Sequence, residues 1–188
     1  MKTSVAAAVA LLLMGGLLTA AQRTRRSAPA QKESPVSVSR SATLRITIAS
    51  DTVGIFAYLS EAEKLAMWFP DQAIIEARLG GKYHFRFKDE EGVWSGVVTD
   101  FIRGNTMGYT WMPPGETVET TVHFKLSPQG GETLVEFTQS GFLSSAEQDK
   151  AVTAWTFYLE NLKSVIEEGS DLRQARRKAT RKPVRKRG

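Results

Sequence analysis

The chain has 188 residues, of which 25 are Lys or Arg, 20 are Asp or Glu, 2 are His and none is Cys. This length suits one domain with tails, and the absence of cysteine excludes a disulfide framework, a thiol nucleophile and a Cys-ligated metal. The formal net charge of +5 is unevenly spread, because residues 43–168 hold 10 basic and 18 acidic side chains and carry −8. The basic charge belongs to the ends of the chain, which argues against a nucleic-acid-binding domain.

The first 21 residues have the pattern of a secretory signal peptide. Lys2 precedes an apolar run over residues 5–18, and small residues precede a cleavage site after Ala21. The run is shorter than the roughly 20 residues of a membrane-spanning helix, although an uncleaved anchor is the alternative. We therefore predict a Sec-type signal and an exported protein, periplasmic or secreted, in which residues 22–42 form a disordered linker rich in Ser, Ala, Pro and Arg.

The folded part begins with a strand and two short helices. Residues 43–49 alternate apolar and polar side chains, which predicts a strand. Apolar residues at helical spacing over 51–59 predict a helix. Ser60 and Glu63 match a capping box, so we expect a second short helix that begins there and ends at Pro70.

A run of antiparallel strands separated by glycine and proline turns follows. His84 and His123 fall on the polar, outward faces of two of these strands and stand outside any metal-ligand spacing, so we predict no metal site. The predicted strands are residues 73–79, 82–88, 92–102, 106–112, 118–126 and 133–139.

The last predicted element of the domain is a long helix that begins at a second capping box, Ser144 with Glu147, and ends near Gly169. A sheet with one buried face needs a cover, and this helix is the longest candidate. We therefore predict an α+β fold, a curved antiparallel sheet wrapped around a long C-terminal helix, with two short helices after the first strand. The apolar stripe of the long helix is Ala151, Trp155, Tyr158, Leu159, Leu162 and Ile166.

Residues 169–188 form a basic tail with nine Lys or Arg side chains and one Asp. Blocks of like charge are commonly disordered, so we predict a disordered tail. The alternative is contact with an anionic surface, such as lipid, a cell-wall polymer or nucleic acid. The tail has no aromatic residue on which bases could stack, so no specific nucleic-acid partner is expected.

Short motifs in a fixed order along residues 43–168 resemble those of a known family. They are Leu65-Ala66-Met67-Trp68-Phe69, Gly80-Gly81-Lys82-Tyr83, Gly96-Val97-Val98, Tyr109-Thr110-Trp111, Ser140-Gly141-Phe142, and Trp155 followed by Leu159, Leu162 and Lys163. Together they resemble the SRPBCC superfamily, also called START-like or helix-grip, and in particular the branch named for the C-terminal domain of the heat-shock-protein-90 ATPase activator. The chain departs from the family in carrying Gln139 where His is frequent and Ala154 where Gly is frequent.

The resemblance implies a cavity between the sheet and the long helix. Members of the superfamily are variously lipid carriers, hydrophobic-ligand receptors, polyketide cyclases and ring-hydroxylating subunits. Many of the inward-facing residues are aromatic, which indicates either a hydrophobic pocket with a few hydrogen-bonding groups or a fully packed core. We take as candidate ligand-binding residues Trp68, Tyr83, Phe85, Phe87, Tyr109, Trp111, Phe124, Phe137, Gln139, Trp155 and Tyr158.

We predict an exported protein that binds a small hydrophobic or amphipathic ligand in this cavity, with no catalytic residues and no cofactor. The sequence has neither a G-x-S-x-G nucleophile elbow nor a phosphate-binding glycine loop. A cyclase or hydrolase using the same pocket is one alternative, with Gln139, Tyr83, Tyr109 and the strand carboxylates Glu76 and Asp100 as its candidates. A protein-interaction module, like an ATPase-activating co-chaperone, is the other. The oligomeric state is left open.

Overall fold

A computed structural model describes residues 39–180. The predicted signal peptide, most of the predicted linker and the last eight residues of the predicted tail lie outside the described residues. The elements in chain order are β1 (Arg40–Ile48), α1 (Thr52–Ser60), α2 (Ala62–Trp68), β2 (Gln72–Ile75), β3 (Lys82–Arg86), β4 (Trp94–Ile102), β5 (Thr106–Trp111), β6 (Thr120–Gln129), β7 (Glu132–Phe142), α3 (Ser145–Glu168) and α4 (Leu172–Thr180).

The strands form one antiparallel sheet of seven, in the order β1-β7-β6-β5-β4-β3-β2. The first two strands therefore lie at opposite edges, and α1 and α2 carry the chain from one edge to the other. From β3 onward each strand pairs with the next along the chain, until β7 lies beside β1. The long helix α3 then covers the concave face, so the predicted α+β architecture is confirmed.

The helix α3 also protects the free edge of β1, which would otherwise present unpaired backbone groups. Lys163 Nζ donates to the carbonyl oxygen of Thr47 at 2.7 Å, and Glu167 Oε1 accepts from the backbone N–H of Ala49 at 2.7 Å. Hydrogen bonds from Lys163 and Ala49 hold the pKa of Glu167 below its usual range. The same helix thus covers the face of the sheet and satisfies part of its edge.

The helix ends follow local sequence signals, with one exception. Ser144 and Glu147 form the predicted capping box of α3, and Gly169 ends the helix in the left-handed conformation, with φ of 67°. The predicted cap at Ser60 is wrong. That residue is the last of α1, where its hydroxyl donates to the carbonyl oxygen of Phe56 at 2.8 Å, so α2 begins without a side-chain cap.

The largest differences between the predicted and observed strand boundaries are at three places. The strand β1 begins at Arg40 and takes three residues from the predicted linker. The strand β2 ends at Ile75 because the chain then turns tightly: a Cβ at Gly81 would lie 2.0 Å from the carbonyl oxygen of Glu76. The hairpin between β6 and β7 turns at Gly130 and Gly131, both with positive φ, so these strands are longer than predicted.

Residues 172–180 form α4 and not the disordered tail that the charge pattern predicted. The physical reason is Arg173, whose side chain is buried and not solvated. Its guanidinium donates to the carbonyl oxygens of Ala66, Phe69 and Pro70 at 2.9, 3.1 and 2.7 Å, and to both carboxylate oxygens of Asp171 at 2.9 Å. These carbonyls lie at and just after the end of α2, where a helix leaves its last carbonyl groups without partners of its own.

A buried amide completes this junction from α3. The side chain of Asn161 donates through Nδ2 to the carbonyl oxygen of Trp68 at 2.6 Å and to Asp171 at 3.1 Å, while its Oδ1 accepts from the backbone N–H of Leu172 at 2.7 Å. Burial alone would raise the pKa of Asp171, but the hydrogen bonds from Arg173 and Asn161 outweigh it and the pKa is lowered. We call Asn161, Asp171 and Arg173 the polar junction.

None of the helices within residues 39–180 is long and apolar enough to cross a lipid bilayer.

We expect Arg173→Ala to lower the free energy of unfolding by about 3 kcal/mol, because it removes one member of a buried ion pair and leaves backbone carbonyls without donors. Urea denaturation of the purified protein measures this change. Lys178→Ala is the matched control, since this exposed residue lies on the same helix and its loss should change stability by less than about 0.5 kcal/mol. Equal effects of the two substitutions would contradict a structural role for Arg173.

Candidate functional site

A cavity of about 630 Å³ lies between the first half of α3 and the sheet, at the end where β4 begins and β5 and β7 end. Its volume is within the range of small-molecule pockets, roughly 300–1,000 Å³. The predicted cavity between sheet and long helix is therefore present in the structure. Its walls are aromatic: Phe69, Phe87, Trp94, Trp111, Phe142, Trp155 and Tyr158.

Five of the candidate residues named from the sequence line this cavity, namely Phe87, Trp111, Gln139, Trp155 and Tyr158. They lie on β5, β7 and α3, except Phe87, which directly follows β3. The other six candidates do not line it. They lie in the packed core beside the cavity, where their side chains are buried. Trp68 Nε1 donates to the carbonyl oxygen of Tyr58 at 2.8 Å, and the Tyr83 hydroxyl donates to that of Thr110 at 2.6 Å. These six are Trp68, Tyr83, Phe85, Tyr109, Phe124 and Phe137.

Phe69 is the wall residue that the sequence analysis missed and that touches most of the others. Its ring centroid lies 4.8 Å from that of Trp155, 4.9 Å from that of Tyr158 and 5.6 Å from that of Trp111. The residue follows the last turn of α2 with φ of −114° and ψ of −84°, outside the helical region. Phe69 and its neighbour Trp68 are both buried, Phe69 at a backbone bend that follows the helix.

Trp94 and Phe142 complete the walls from the two ends of the sheet strands. Trp94 is the first residue of β4 and pairs in register with Phe85, and Phe142 is the last residue of β7. Ala151 and Ala154 of α3 also line the cavity, and their small side chains leave the space between helix and sheet unfilled. The Ser140-Gly141-Phe142 motif marked Phe142 in the sequence, but the motif does not indicate that the cavity lies at this end of the strand.

The floor of the cavity is a hydrogen-bonded chain of neutral groups. Trp155 Nε1 donates to Gln139 Oε1 at 2.7 Å, Gln139 Nε2 donates to the Thr120 hydroxyl at 2.8 Å, and that hydroxyl donates to the carbonyl oxygen of Trp111 at 2.9 Å. An indole N–H can only donate, so it fixes the orientation of the amide and the direction of the whole chain. The first three of these residues are at most 8% exposed.

Three tyrosines in and beside the cavity have raised pKa values. Burial raises the pKa of Tyr83, whose hydroxyl donates to the carbonyl oxygen of Thr110 at 2.6 Å, and Glu119 raises it further. Burial likewise raises the pKa of Tyr109 and of Tyr158. A tyrosine that acts as a general base needs a lowered pKa, so none of these three is prepared for that role.

The strand carboxylates considered for acid–base chemistry lie away from the cavity. Asp100 accepts a hydrogen bond from His123 Nε2 at 2.8 Å on the outer face of the sheet, across Gly108. Burial would raise its pKa, but the hydrogen bonds from His123, Thr106 and the backbone of Phe101, with the charge of His123, together outweigh it and the pKa is lowered. Glu76 forms an exposed ion pair with Arg78. Within residues 39–180, no group of His, Asp and Glu side chains is arranged to hold a metal ion.

The rim of the cavity is charged. Glu90 lies in the loop between β3 and β4, Glu116 in the loop between β5 and β6, and Glu147 in the first turn of α3. Lys150 lies one helical turn after Glu147. The site therefore combines aromatic walls, a neutral polar floor and a rim with more carboxylates than amines.

Comparisons with known proteins agree with this fold. The family model described as activator of Hsp90 ATPase homolog 1-like protein matches residues 53–167. The protein MLL2253 from Mesorhizobium loti is 20% identical over 70% of this chain and 99% of its own, with a TM-score of 0.62. A search of curated proteins found no match.

Two further solved structures are similar. CalU16 from Micromonospora echinospora is 19% identical over 73% of this chain and 81% of its own, with a TM-score of 0.60. The Aha1 dimer from Colwellia psychrerythraea is 23% identical over 70% of this chain and 98% of its own, also with a TM-score of 0.60. At these identities the structures establish the fold alone, whereas the family model spans more than half of the chain. The chain therefore belongs to the family of activator of Hsp90 ATPase homolog 1-like proteins, within the SRPBCC superfamily.

Proposed function

We propose that this protein binds a small hydrophobic or amphipathic molecule in the cavity between the sheet and α3, without transforming it. The observation that carries the proposal is the cavity itself: about 630 Å³ walled by seven aromatic side chains. Aromatic walls provide much apolar contact area, and the indole and phenol groups provide a few polar handles. The SRPBCC fold, which commonly holds small hydrophobic ligands, supports the same proposal.

The neutral floor supports binding over catalysis. The buried polar groups at the floor are an indole, an amide and a hydroxyl, and they are engaged with one another. General acid–base catalysis needs a titratable group within hydrogen-bond reach of the substrate, with its pKa tuned by burial. Among the described residues that line the cavity, the carboxylates of Glu90, Glu116 and Glu147 are on the exposed rim and not on this floor.

An interaction module remains the second candidate, because the family description names an activator of the Hsp90 ATPase. A co-chaperone must meet its chaperone in the same compartment. We propose instead that this chain is exported, on the basis of its first 21 residues. The two proposals are tested separately below.

We expect the purified protein to bind Nile red, an uncharged hydrophobic dye whose emission shifts to the blue in an apolar site. Ala154→Phe should weaken this binding about tenfold, because the added ring occupies the cavity and displaces contacts worth about 1.4 kcal/mol. Ala154 lines the cavity, whereas Ala146, on the first turn of the same helix, does not. Fluorescence titration of the dye measures both variants.

The matched control is Ala146→Phe, which adds the same ring to an exposed position of α3 and should leave the affinity unchanged. Both variants should keep the thermal midpoint of the parent protein, because both alanines are exposed. A parent protein that binds no Nile red, or an Ala154→Phe variant that binds as well as the parent, would refute ligand binding in this cavity.

We also expect intact-mass analysis of the protein, isolated from cells that make the full chain, to show a mature form that begins at Gln22. The signal pattern requires cleavage after Ala21 and recovery of the mature form outside the cytoplasm. Ala21→Phe should block this cleavage, because the signal peptidase accepts small residues at that position. Recovery of the parent protein from the cytoplasm with Met1 intact would overturn export and favour the co-chaperone alternative.

A further inference from the structure

The rim of the cavity carries an excess of negative charge. Of the described residues that line the cavity, Glu90, Glu116 and Glu147 are acidic, and Lys150 is basic. Glu147 and Lys150 lie one turn apart on α3, so Lys150 partly offsets that carboxylate. The excess is therefore concentrated on the opposite, loop-built side, at Glu90 and Glu116. Residues 43–168 as a whole carry a net charge of −8, which has the same sign.

Glu90 of the rim acts on the cavity wall. The Tyr158 hydroxyl faces four charged groups, and after burial the largest influence on its pKa is Glu90, which raises it together with Asp71. Arg173 and Arg176 act in the opposite direction. Arg173 is held by Asp171 and backbone carbonyls, and Arg176 lies over the Phe157 ring at 4.6 Å.

The walls themselves favour a cation. The rings of Trp94 and Trp111 are nearly parallel, at an interplanar angle of 29° and a centroid distance of 6.4 Å, and Trp155 lies 5.8 Å from Trp111. Indole has the strongest negative face among the aromatic side chains and attracts ammonium groups within about 6 Å. The Trp155 N–H, which could otherwise bind an anion, is donated to Gln139.

We infer that the ligand is a cationic amphiphile, an apolar body that ends in a protonated amine or a quaternary ammonium group. The apolar body packs against the aromatic walls, and the cation lies near the rim, beside the indole rings and close to Glu90 and Glu116. This inference rests on the proposed function, because it specifies the chemistry of a ligand in the same cavity. The proposed function leaves the charge of the ligand open, whereas this inference gives the ligand a positive charge.

The test is a series of octyl compounds of matched length, used below their micelle concentrations: octyltrimethylammonium, octyl glucoside and octyl sulfate. Each is titrated against Nile red bound to the purified protein. We expect the cation to displace the dye with about tenfold higher affinity than the glucoside, and the sulfate to bind most weakly, as two nearby carboxylates predict. The preference should shrink at 0.5 M NaCl, because salt screens exposed charges over about 4 Å.

A pair of double variants assigns the preference to the rim. Glu90→Gln with Glu116→Gln should lower the affinity for octyltrimethylammonium about tenfold and leave that for octyl glucoside unchanged. The control is Asp149→Asn with Glu160→Gln, which removes the same charge from exposed positions of α3 that do not line the cavity. It should change the affinity for the cation less than about twofold.

The outcomes separate the two proposals. If Nile red binds but the three octyl compounds bind equally, or the sulfate binds best, the cationic ligand is refuted and the hydrophobic cavity stands. If both double variants reduce the affinity for the cation equally, the preference belongs to the net charge of the domain and the rim assignment is refuted. If Nile red does not bind, the proposed function is refuted, and the inference with it.

Discussion

The candidate site depends on how one short segment is held, the end of α2 and the turn after it. Residues 66–70 present backbone carbonyls that a helix end leaves without partners, and the polar junction supplies donors to them: Arg173 from α4 and Asn161 from α3. These bonds fix the position of Phe69, whose ring contacts Trp111 on the sheet side of the cavity and Trp155 on the helix side. Because the donors come from two different helices, the position of the aromatic wall is coupled to the docking of the C-terminal segment.

The cavity exists because the side chains at this end of the domain are smaller than those in the packed core. Beneath the cavity, large rings from the sheet interlock, as between Phe124 and Phe137 at 5.2 Å. At the open end the facing residues of α3 are Ala151 and Ala154, which are too short to reach the sheet. Interiors that are packed to ordinary density have few voids of this size. The small side chains on one helix face, and not a loose core, therefore create the space.

The sequence predicted the fold better than the site. Alternation along β3 correctly placed Tyr83 and Phe85 on the inner face, but that pattern has no information on depth, so it could not separate core positions from cavity walls. Phe69 escaped because a backbone bend, not a period, buries it. Charge counting misjudged the start of the tail, since it treated Arg173 as a solvated residue, whereas Asp171 and three carbonyls make it a buried one. A local sequence pattern indicates on which face of a strand or helix a residue lies. Whether a charged side chain is buried depends on the partners that the tertiary structure brings to it.

In the binding function that we propose, the walls and the rim of the cavity have different roles. Burial of an apolar body against the walls yields most of the binding free energy and is insensitive to pH, because the floor made by Gln139, Thr120 and Trp155 has no group that titrates near neutrality. The rim lies in solvent, where charges interact weakly and are screened, so Glu90 and Glu116 discriminate among ligands more than they hold them. Such a separation allows ligands of related shape to enter the same cavity while their charge decides which of them is retained.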